Sequence, residues 1–209
     1  MWVACRNRRR YHLHVAKPGE GRMSSITQTA GLGATERYAP AMRLIHWLTA
    51  LLVLALFVLG GWIVYFEPAD EKLKDELYNL HQSIGITVWV LVLIRVVVRL
   101  ATGAPKLPLG TPIIVRGLAT LNHLALYLVL LVQPIIGLAD TNAWGFPLDW
   151  FGLFRVPSPI GKQPDAVAQQ LSDLHWFGAL LLLILVGTHI AGALYHGVVR
   201  RDGVVRHMA

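Results

Sequence analysis

The chain has 209 residues, of which 55% are hydrophobic and 15% charged, with a mean hydropathy of +0.51. Soluble domains carry about 25% charged residues, so much of a water-facing surface is missing. The single cysteine, Cys5, excludes an intrachain disulfide framework and any CxxC zinc or iron–sulfur site.

Residues 1–36 are basic, rich in Gly, Ser and Thr, and aperiodic, with a basic run from Asn7 to Arg10. No apolar segment follows before Ile45, so a secretory signal is not indicated. A disordered basic arm is expected, with Met23 as an alternative start. Residues 37–209 are expected to form one all-α domain, a membrane four-helix bundle. Its spans are expected at 44–66, 77–100, 117–139 and 171–199, each matching the roughly 20 helical residues that cross a bilayer.

Span one is uncharged from Ile45 to Phe66. Span two is uncharged from Leu77 to Ile94 and continues through Arg95 and Arg99. A Pro-rich connection (Pro105, Pro108, Pro112) is short enough to make spans two and three antiparallel neighbours. Span three contains Pro134, a kink that a membrane helix tolerates when neighbours satisfy the freed carbonyl. The connection to span four carries Trp144, Trp150, Phe151 and Phe154, and is expected to lie on the headgroup layer.

Lys and Arg concentrate on the cytoplasmic side of membrane proteins. With the N-terminus inside, the inner segments carry fifteen of them, and the outer loops only Lys72, Lys74, Arg155 and Lys162. Nine of the twelve acidic residues fall outside. Both termini are therefore expected in the cytoplasm. The formal charge of +7 then reads as a topology signal with attraction to anionic lipid, not as a nucleic-acid footprint.

Six of the nine histidines fall on the spans: His46, His81, His123, His175, His189 and His196. Ionisable side chains inside a bilayer are costly and usually functional, although any one of these alone reads more readily as an interfacial or packing residue than as a ligand. Their spacing as a set argues for more. His189 follows His175 by fourteen residues, almost four turns and a rise of about 21 Å, so the two share one face of span four at two depths. His46 matches the inner depth and His81 the outer, giving two cross-helix pairs, His46 with His189 and His81 with His175. Zinc wants three or four ligands, whereas two opposed imidazoles are what a six-coordinate haem iron takes. Gly60 lies fourteen residues after His46 on the same face, and Gly85 and Gly178 follow their histidines by a turn, leaving room for a flat macrocycle. Arg95 shares the face of His81 at the inner depth, with Arg99 a turn further, where each suits a haem propionate or an interfacial phosphate. His196, two turns past His189, and more weakly His123, are candidates for a quinone site, because histidine can bond and exchange protons with a quinone headgroup.

From RYAPAMRLIHWL in span one, through LHQSIGI and NHLALYL, to LHWFGALL, GTHIAGALYHG and the RRDGVVRHM tail, the chain resembles the prokaryotic cytochrome b561 family over 36–208. The resemblance implies a bacterial inner-membrane cytochrome with two non-covalent haems b, exchanging electrons with ubiquinone. It places the ligands on His46, His81, His175 and His189. It also leaves several functions open: an electron carrier between an outer-face redox partner and the quinone pool, a superoxide:ubiquinone oxidoreductase, or an anchor for a hydrogenase or dehydrogenase. A metal transporter predicts acidic side chains within the uncharged apolar runs of the spans, the fourth of which starts at Leu174, and there are none.

Overall fold

The computed structural model describes residues 37–66, 69–103 and 111–208. The expected basic arm lies outside the described residues, as do Pro105 and Pro108. Four long helices follow in order: α1 (Pro40–Phe66), α2 (Glu71–Thr102), α3 (Ile113–Ala143) and α4 (Asp165–Leu194). All four are long and apolar enough to cross a membrane.

Their ends follow local chemistry. Asp70 caps α2 by accepting from the Lys72 N–H at 2.9 Å, with Glu71 in the first turn facing the positive end of the helix dipole. At the other end Gly103, at φ +75°, closes the last turn by donating to the Arg99 carbonyl. Helices α3 and α4 each follow a proline, Pro112 and Pro164, whose extended conformation feeds the first turn. Both begin several residues before their apolar runs. Pro134 cannot donate within α3, and the Trp89 indole on α2 donates to the Leu131 carbonyl in the turn that the proline disturbs, at 3.0 Å.

The helices pack in sequence, α1 on α2, α2 on α3 and α3 on α4. By contrast, α4 barely approaches the backbones of α1 and α2. The outward faces carry large exposed apolar side chains such as Leu51, Leu54, Val58, Leu121, Leu128 and Ile184. In water so much exposed apolar surface would aggregate; in lipid it is the solvent-facing surface.

The two ends of the bundle are distinct. At one, here the tail end, the chain after α4 folds back. The Tyr38 N–H donates to the His207 carbonyl (3.1 Å), Trp47 donates to the Met208 carbonyl (3.0 Å), and Arg99 donates to the Tyr38 hydroxyl (2.7 Å). The other, here the hairpin end, holds two short antiparallel strands, β1 (Leu148–Trp150) and β2 (Phe154–Val156), in the register Leu148 to Val156. The sequence suggested only a headgroup-lying segment here. The structure adds that the hairpin is pinned to α2: the Trp150 indole donates to Thr87 Oγ (3.2 Å) and the Phe151 N–H to Ser83 Oγ (2.9 Å).

Midway between the ends sits a small apolar core of Val53, Val88, Val92 and Leu182. Val53 and Val88 each lie seven residues after a histidine, His46 and His81, and Leu182 lies seven residues from both His175 and His189. Seven residues are two turns, so the core separates two histidine layers.

Candidate functional site

At the tail end, the His46 and His189 rings lie 6.1 Å apart between centroids; at the hairpin end, His81 and His175 lie 6.3 Å apart. The structure thus brings together both pairs that the sequence spacing selects. Each pair bridges α4 to a helix whose backbone α4 barely approaches, beyond the side-chain contacts of the Val53, Val88, Val92 and Leu182 core.

The hairpin-end pair lines a cavity together with Gly85, Val53, Phe57 and Gln133. Glycines make the room. A Cβ at Gly60 would come within 3.3 Å of His81 Cε1, and one at Gly137 within 2.8 Å of His175 Cε1. Gly137 and Gln133 were missed in the sequence, although a glutamine inside an apolar run beside a proline is a signal that could have found them. Gln133 is buried and reaches from α3 to His175.

Among the described residues no group of three or more His, Cys, Asp or Glu is placed to hold a bare metal ion. The pairs therefore suit a centre that brings most of its own ligands. Two metal–imidazole bonds of about 2.0–2.1 Å on opposite faces of one metal would put ring centroids about 6 Å apart, as both pairs are. Moreover, Nδ1 of His46 and of His81 is buried with no partner. Such groups cost about 1–3 kcal/mol, a cost that ligation through the other nitrogen can offset. The residues fit a haem at each layer.

In the tail-end layer, Arg95 is within electrostatic range of His46, His123 and His189, and its guanidinium lies 5.5 Å from the Tyr127 ring centroid. Arg99 is engaged one turn further out, bonding the Tyr38 hydroxyl and stacking on its ring. His123 is exposed on α3 with its ring 5.1 Å from that of His189, and its Nδ1 is 2.6 Å from the Ala119 carbonyl.

His196 has a different setting. It lies in a π-helical turn, Tyr195–Arg200, and is 7% exposed. Its Nδ1 sits 2.7 Å from Asp202 Oδ2, to which the Arg200 Nε also donates at 3.1 Å. Burial pushes the Asp202 carboxyl up, but the hydrogen bonds from His196 and the Val204 N–H, with the nearby cations, hold it below its usual range. At the other end the exposed Asp149 carboxyl is held low by its bonds from Arg155.

A family model described as prokaryotic cytochrome b561 matches residues 37–209. The chain is similar to cytochrome b561 homolog 2 of Escherichia coli, at 34% identity over 83% of this chain and 91% of that protein. It is also similar to cytochrome b561 homolog 1 of the same organism, at 25% identity over 82% and 96%. A third relative is the probable superoxide oxidase CybB of Yersinia pestis, at 31% over 78% and 90%. Paired histidines at two depths of a four-helix membrane protein, together with this match across the whole described bundle, place the chain in the prokaryotic cytochrome b561 family of haem-b electron-transfer proteins.

Proposed function

We propose that the chain holds two haems b, one at each layer, and carries electrons between a redox partner at the hairpin end and ubiquinone at the tail end. His81 and His175 hold the first haem; His46 and His189 hold the second, with Arg95 beside its propionates and Arg99 supporting that edge through Tyr38. The observation that carries this reading is the repetition of one arrangement, an α4 histidine about 6 Å from a histidine on α1 or α2, at both depths. Each haem supplies a one-electron couple; the protein sets its position, its surroundings and its distance from the partner. In this reading both termini lie in the cytoplasm of a bacterium and the hairpin end faces outward, as the lysine and arginine asymmetry favours. A pyridine haemochrome assay on fully loaded protein should give two haems per chain, released by denaturation because no CxxCH motif is present. One haem per chain, or a haem that survives a denaturing gel, would overturn the proposal.

The quinone site is best placed at His123. Both histidines were candidates, but His196 is buried and committed to Asp202, whereas His123 faces lipid beside His189. With Nδ1–H donated to the Ala119 carbonyl, its Nε2 is left to exchange a proton with a quinone headgroup. His123→Ala should slow reoxidation of the reduced haems by a soluble ubiquinone about 10²-fold or more, with haem content unchanged. Equal rates in variant and wild type would move the site elsewhere.

A second reading, superoxide as the electron donor, is favoured by the likeness to CybB. Weighing against it, Asp70, Glu71, Asp75 and Glu76 give the hairpin end an acidic cluster that repels an anion. That cluster instead suits a basic redox protein, and a neutral donor is equally compatible with it. Superoxide-driven reduction by the isolated protein that slows as salt rises would reverse this preference.

A further inference from the structure

We infer that Gln133 is the positioning residue for the hairpin-end ligand His175 and tunes the haem held there; the inference rests on the haem reading above. Gln133 is 8% exposed within an apolar stretch of α3. A carboxamide buried there without partners would be destabilising. It finds them on α4, where its Nε2 lies 2.5 Å from the His175 carbonyl oxygen and 3.2 Å from His175 Nδ1. The approach depends on α4 being bare at the next turn, since a Cβ on Gly178 would collide with Gln133 Oε1. One turn along α3, Gly137 lies against the Cε1–Nδ1 edge of the same ring, where a Cβ would come within 2.8 Å of Cε1. Thus α3 holds the ring from two positions one turn apart. The opposing ligand His81 has no such support, because its buried Nδ1 is without a partner.

This contact has a chemical consequence. Ligation through Nε2 leaves the proton on Nδ1, and a ligating histidine is oriented and made more basic by an acceptor for that proton. The carboxamide is suited to both states of the ring, since it carries a donor and an acceptor on one carbon. Its NH2 answers a bare Nδ1, and a half-turn of the amide offers Oε1 to Nδ1–H. The half-turn converts the bond to the His175 carbonyl into an approach of two acceptors, so the carboxamide must also draw back from that carbonyl as Oε1 takes the Nδ1–H. A carboxylate at this position serves only the second state, and an apolar side chain neither. A more basic imidazole favours the oxidised iron, so the hydrogen bond lowers the potential of the hairpin-end haem.

The test is a redox titration, followed by haem absorbance and paired with haem content, on full-length wild type, Gln133→Leu and Gln133→Glu. The hairpin-end component is identified as the one absent from a His81→Leu protein. Gln133→Leu should raise that component's potential and weaken haem retention about 10–100-fold. Gln133→Glu, a stronger acceptor, should lower the potential and keep the haem. A tenfold change in the preference between oxidation states reads as about 59 mV for a one-electron couple. Opposite shifts, with the tail-end component unmoved, are the expected result. Where Gln133→Leu loses its haem outright, the Gln133→Glu shift alone decides. Shifts of the same sign in both variants, or no shift, would leave Gln133 a packing residue and overturn the inference. A wild type with a single haem would refute the haem reading itself, whereas unmoved potentials in a two-haem protein refute only the role of Gln133.

Discussion

Replacement of His81 by leucine is expected to halve the haem content of the purified protein, removing the hairpin-end haem and sparing the tail-end one. His46→Leu should do the reverse. The independence follows from α4, where the partner ligands His175 and His189 are fourteen residues, about 21 Å, apart with an apolar core between them. Losing a first ligand should weaken binding by more than the roughly 100-fold that follows from losing an outer hydrogen-bond partner. Stability of the haem-free protein should move the other way. His81 keeps Nδ1 buried and unpartnered, so leucine removes a cost of about 1–3 kcal/mol. Spectra and thermal unfolding of the same preparations, with and without haem, separate the two effects. Loss of both haems from a folded single variant would show the pairing by depth to be wrong.

The second large effect is expected from a single methyl group. Gly137→Ala places a Cβ 2.8 Å from His175 Cε1 and 3.1 Å from its Nδ1. Both partners sit on packed helices, and a ligand constellation tolerates displacement of only about 0.5 Å. The variant should therefore lose the hairpin-end haem, although alanine is a better helix former than glycine by about 0.5–1 kcal/mol. Gly117→Ala, on the same helix with nothing within 4 Å of the added atom, is the control and should retain both haems. Gly60→Ala, at 3.3 Å from His81 Cε1, should fall between them. Full haem content in Gly137→Ala would mean that the His175 ring sits elsewhere when the site is loaded.

The histidine pairs were legible in the sequence because helical period turns spacing into depth: fourteen residues on an uninterrupted helix return to the same face. The four spans were legible because bilayer thickness fixes their length. What was missed depends on contacts between segments distant in sequence. Gln133 matters only because α3 lies beside His175, forty-two residues later, and no period within α3 announces that. The hairpin has two strands of three residues each, too short for alternation to show, and is held by Ser83 and Thr87 on another helix. The early starts of α3 and α4 were hidden because residues beyond the apolar run continue a helix that a preceding proline has begun. Likewise, the setting of His196 rests on a tail that folds back after the last span.

The apolar layer of Val53, Val88, Val92 and Leu182 has an electrical consequence. It keeps the two histidine layers about 21 Å apart along the helix axis, in a hydrocarbon core about 30 Å thick. With a redox centre at each layer, an electron passing between them moves through about two-thirds of the membrane's field. At 100 mV a full crossing is worth about 2.3 kcal/mol per charge, so this step is worth about 1.5 kcal/mol, more than a tenfold bias in the distribution of the electron. The energised state of the membrane would thus act directly on which of the two centres is reduced.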